Sequence, residues 1–116
     1  MIFVDQNCTS RLGVVFKNKT TGLPITDGSL AGSTFACDVR KSVDYPSVLF
    51  NPEIDQTSLS TGYIYVTVLP EHTELMTIGA QYVMDLLIKL PGGDIYKAIS
   101  TSTLSMRPTA SRFSGG

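Results

Sequence analysis

Along most of this chain apolar and polar residues alternate in short runs. From Thr9 to Phe16, Leu12, Val14 and Phe16 share one face, against Arg11, Gly13 and Val15 on the other. From Phe35 to Lys41, Phe35, Cys37 and Val39 oppose Asp38 and Arg40. A period of two is the signature of a strand half-buried in an antiparallel sheet. Tyr63 to Leu69 is apolar on both faces, which predicts a central strand. Gln81 to Leu90 aligns Tyr82, Met84, Leu86, Ile88 and Leu90, with Asp85 and Lys89 on the reverse side. Pro91-Gly92-Gly93-Asp94 then reads as a hairpin tip, and Ile95 to Leu104 as the last strand. Val48-Leu49-Phe50 is a shorter apolar run, stopped by Asn51-Pro52.

Turn residues punctuate these runs at intervals of about ten, the spacing of a β-sandwich or barrel. Asn18 to Pro24, Asp27-Gly28 and Gly32 make a long irregular link after the first strand. Pro70-Glu71-His72-Thr73-Glu74-Leu75 carries the one helix-start signal. Proline suits the first helical position, and glutamates suit the positive end of the helix dipole. One helical turn near 70–76, crossing between two sheets, is the expectation. The whole predicts an all-β, immunoglobulin-like sandwich of about seven antiparallel strands. It would form one domain over 1–116, with an N-terminal arm at 1–8 and a C-terminal tail at 105–116. Tyr82, after Gly79, sits where a corner tyrosine of such sandwiches bonds back to the main chain a few residues upstream. The chain has no tryptophan, so the Cys-Trp-Cys core of antibody domains is missing.

Composition narrows the function. A chain of 116 residues, 42% hydrophobic, can bury a core without metal or disulfide staples. The net charge of −1 argues against nucleic-acid binding, which needs a basic excess. No apolar run approaches the roughly 18 residues of a membrane helix, so no membrane partner is expected. Met1 to Asp5 lacks the features of a signal peptide. Cys8 and Cys37 then read as free thiols, a bridge between neighbouring strands being the alternative. Two cysteines and one histidine do not supply a zinc site, and no cofactor or metal is expected.

Catalytic constellations are also missing. A nucleophile, base and orienting carboxylate must lie within hydrogen-bond reach. His72 stands beside Glu71 and Glu74, but no nucleophile motif accompanies it, and the helix start already explains the glutamates. The aspartates Asp27, Asp38, Asp44 and Asp55 lack calcium-loop spacing. A non-enzymatic binding or building module is the expectation.

The second half strings together Gly62-Tyr63-Ile64-Tyr65-Val66-Thr67-Val68, Leu69-Pro70-Glu71 with Leu75, Gly79-Ala80-Gln81-Tyr82-Val83-Met84-Asp85-Leu86, Gly93-Asp94-Ile95-Tyr96-Lys97 and Met106-Arg107-Pro108-Thr109. In these pieces it resembles small sandwich domains of tailed-bacteriophage structural proteins, and the resemblance implies folding in the bacterial cytoplasm before assembly. The resemblance spans Gly62 to Arg112, about half the chain. It implies a virion protein of tail, baseplate or neck, with head decoration as the alternative. Its partners would be other virion proteins and further copies of itself, in a homo-oligomer. Contacts would run through the ends: Ile2 and Phe3 at the N-terminus, and Arg107, Arg112 and Phe113 in the tail. A carbohydrate- or surface-binding adhesion module is the competing expectation, with Tyr45 and Tyr96 as candidate stacking residues.

Overall fold

The computed structural model describes residues 1–110. Among these residues seven strands form two sheets. In chain order they are β1 (Ile2–Asp5), β2 (Ser10–Val15), β3 (Thr34–Arg40), β4 (Glu53–Asp55), β5 (Tyr63–Val68), β6 (Gln81–Lys89) and β7 (Ile95–Arg107). A 3-10 turn at Leu59–Thr61 precedes β5, and the short helix α1 (Pro70–Thr73) follows it. The four-stranded sheet runs β1-β7-β6-β3, and the three-stranded sheet runs β2-β5-β4.

The alternation seen in the sequence sorts side chains into a core between the sheets. Cys37, Val39, Met84, Leu86 and Leu104 of one sheet face Ile64, Val66 and Val68 of the other, all almost fully buried. The chain is therefore an all-β sandwich. Burying each such aliphatic side chain contributes roughly 1.5–3 kcal/mol. β5 is the central strand of its sheet, with β2 and β4 on its two edges, and its inner face, Ile64, Val66 and Val68, is buried against the other sheet. On its outer face Tyr65 lies over Gly13, and Arg11 stacks 4.5 Å from the ring centroid.

Several expectations need correction. The sequence pattern reads residues 1–8 as an arm and the strands as uniformly antiparallel. Instead Ile2–Asp5 pairs parallel to β7, from Ile2 opposite Leu104 to Asp5 opposite Arg107. A parallel partner is not signalled by local alternation, since it depends on where the chain's far end lies. The tail expected from Ser105 begins later, because β7 continues to Arg107 with β1 and β6 on its two sides. Two bulges against β6 each add one residue to β7, which lengthens it and breaks its period. Val48-Leu49-Phe50 contributes only an isolated bridge, Val39 with Phe50, while the strand at Glu53–Asp55 follows Pro52. Its three residues are too few to show a period.

Gly62 closes the 3-10 turn with φ 86°. A side chain there would begin 3.0 Å from the Ile25 backbone nitrogen. Only glycine meets both demands.

Candidate functional site

The two sheets end differently on their two sides. On one side β4 is only three residues long. The neighbouring edge of β3 is partly covered, because Val39 N–H donates to Phe50 O at 3.0 Å and Leu49 N–H to Val39 O at 2.8 Å. These are the ways proteins blunt an edge strand. On the other side β1 and β2 are the outermost strands of their sheets. Among the described residues neither has a partner on its outer edge.

Between β1 and β2 lies a crevice of about 100 Å³, lined chiefly by Ile2, Val4, Leu12, Val66, Met84 and Leu104. The register explains why it is apolar. Leu12 and Val14 of β2 turn inward opposite Val66 and Ile64. They stay half-buried while those partners are 0–1% exposed. An inward-facing residue on an uncovered edge has neighbours on one side only.

The chain crosses between the sheets at one end of this crevice. Asn7 takes a left-handed conformation, φ 60°, which asparagine tolerates better than most residues. Its N–H donates to Thr73 Oγ1 at 3.0 Å, and Thr73 donates to Pro70 O at 2.6 Å. The buried hydroxyl thereby ties the β1–β2 turn to α1. At the same end, Tyr82 Oη accepts the Thr77 N–H at 2.7 Å, and Gly79 turns the chain into β6 with φ 84°.

Three of the residues expected to make contacts are brought together here. Ile2 faces the crevice, and Phe3, half exposed, stands opposite Ser105 on the outer face. Arg107 donates twice to the Asp5 carboxylate, at 2.9 and 3.1 Å, and lies 5.4 Å from the Phe3 ring. Such an exposed pair contributes about 0–1 kcal/mol, beside the main-chain ladder that holds β1 to β7. Arg112 and Phe113 lie outside the described residues. Tyr45 is edge-exposed beneath Lys41, and Tyr96 is exposed beside the hairpin tip.

His72 stacks on Phe50, centroids 4.6 Å apart and planes 9° from parallel, while its Nδ1 accepts the Leu69 N–H. Packing and capping account for it. Both cysteines are free. Burial pushes the Cys37 thiol up to about 12, helped by the neighbouring charges of Asp38 and Asp85. That thiol stays protonated and unreactive. Asp38 and Asp85 stand opposite each other on the outer face, but each carboxylate has a cation: Arg40 at 3.1 Å and Lys97 at 3.8 Å. Among the described residues no group of three or more His, Cys, Asp or Glu could hold a metal, and no helix is long and apolar enough to cross a membrane.

A second apolar hollow, about 180 Å³, opens at the opposite end between Ile25, Leu30, Ala31 and Leu59. The irregular composition of that link gave no sign of it. The sequence also carried no sign of Thr73 as a tie, because a threonine in a helix start has many local roles. No protein-family model matches this chain, and no curated protein matches it either.

Proposed function

We propose that this chain is a non-enzymatic building block of a tailed-bacteriophage particle. It assembles in multiple copies, in the tail, baseplate or neck, with head decoration as the alternative location. It folds in the bacterial cytoplasm first and needs no cofactor. The observation that carries the reading is the asymmetry of the two sides: one blunted, the other open along β1 and β2 with an apolar crevice between them. An open strand edge is a template for pairing with another chain. The strand order supports an immunoglobulin-like assignment, since β2-β5-β4 and β3-β6-β7 follow the B-E-D and C-F-G arrangement. The resemblance of residues 62–112 to phage sandwich domains supports the virion setting.

A second reading is favoured by a separate observation. The end carrying the hollow also exposes Leu23, Ile95 and Tyr96, as a loop-based adhesion module would. The two are separated by immunogold labelling with antibody against the purified chain. Label on tailed particles is expected. Label confined to cell surfaces, with binding on a glycan array, would replace the building-block reading by the adhesion one.

A further inference from the structure

We infer that the outer edge of β2 pairs with the same edge of a second copy, antiparallel and centred on Gly13. This rests on the building-block reading and names one partner for its open side.

The backbone register sets the geometry. Phe16 N–H donates to Gly62 O at 2.7 Å. In an antiparallel ladder hydrogen-bonded residues alternate. Phe16, Val14, Leu12 and Ser10 therefore aim their backbone groups at β5, and Val15, Gly13 and Arg11 aim theirs outward. A twofold axis at Gly13 sets Gly13 against Gly13 of the second copy. It also sets Arg11 of each copy against Val15 of the other. All three outward-facing residues then meet outward-facing residues. Each of the three pairs exchanges two main-chain hydrogen bonds. Registers shifted by one residue would set outward groups against inward ones.

The side chains fit the same axis. Leu12 of one copy comes opposite Val14 of the other on the inner face, so the half-buried residues of the crevice cover each other. On the outer face no like charges meet. The two Arg11 side chains are four residues apart, roughly 13 Å at about 3.4 Å per residue, and each keeps its own Asp55 at 3.1 Å. Gly13 puts no side chain at the axis, where Tyr65 of each copy lies over its own glycine. β2 also lacks the usual protections of an edge: it has no proline, and its one charge is engaged.

The test is the solution mass of the full chain by light scattering across a dilution series. Twice the 12.5 kDa chain mass is expected. Gly13→Ala should fold and dimerise, because a Cβ there meets Tyr65 at an ordinary 3.5 Å. Gly13→Lys opposes two cations at the axis and should raise the dimer Kd by about tenfold or more. Gly13→Cys in a Cys8→Ser background should cross-link under mild oxidation, since paired Cα atoms about 5.5 Å apart suit a disulfide. Thr21→Cys in the same background should not. A chain monomeric at its highest soluble concentration would overturn the inference. So would a dimer indifferent to Gly13→Lys, or equal cross-linking at Thr21. If the monomer dimerises only when residues 111–116 are removed, the chain's own end takes the edge and the inference fails. If the monomer still labels tailed particles, the partner is a different virion protein: the homotypic pairing falls and the building-block reading stands.

Discussion

Thr73→Val tests the tie between the β1–β2 turn and α1. The substitution keeps the volume and branching of a side chain that is 2% exposed and removes only the hydroxyl. Two hydrogen bonds go with it: the acceptance from Asn7 N–H at 3.0 Å and the donation to Pro70 O at 2.6 Å. A net intramolecular hydrogen bond contributes about 0.5–1.5 kcal/mol, and an orphaned buried group costs somewhat more. Asn7 is exposed, so water takes up part of its loss. The total is about 2 kcal/mol, or a fall of roughly 8–10 °C in Tm for a domain of this size. Urea unfolding should show the midpoint move at constant slope, because the folded surface is unchanged. Amide exchange should quicken in the β1–β2 turn, whose Cys8 N–H bonds to Asp5 O. Thr73→Ser, which keeps the hydroxyl, should cost less than Thr73→Val. If Thr73→Val lies within about 0.5 kcal/mol of wild type while Thr73→Ser is the more damaging, the methyl group holds this corner and the hydrogen-bond argument is wrong.

Four further outcomes are expected. Tyr82→Phe removes only the acceptor for the exposed Thr77 N–H and should cost about 1 kcal/mol, read by calorimetry. Gly62→Ala, strained by φ 86° and a 3.0 Å approach to Ile25, should cost about 2 kcal/mol or more, seen as a matching loss in urea midpoint. In a thiol-reagent time course at neutral pH, Cys8 should react in the folded protein, and Cys37, whose pKa is raised to about 12, only after unfolding. Asp55 should titrate by NMR below its ordinary 3.8, held down by the backbone N–H and then the hydroxyl of Thr57. Its contribution to stability is therefore present above about pH 3.8 and is lost as pH falls through the lower folded value. Thr57→Val should raise that midpoint part of the way.

The locations of β2, β3, β5, β6 and the start of β7 were legible in the sequence. A strand with one buried face writes a period of two into its own residues, as Phe35, Cys37 and Val39 do. The hairpin at Gly92-Gly93 and the helix start at Pro70 were legible for the same reason: turn and cap preferences act on the residue that bears them. The all-β sandwich follows from that local information.

Pairing is not local. Ile2–Asp5 reads as an arm until β7 runs beside it, and Arg107 reads as a tail residue until Asp5 stands opposite. The short β4 has too few residues to announce itself. The open side, with β1 and β2 outermost and the blunted β3 and β4 across the molecule, is a property of strand order. Strand order is set by which surfaces pack best over the entire chain. The sequence by itself determined which residues turn inward and where the chain turns; only the tertiary structure decided which strands are neighbours, and so which edge is left to meet another molecule.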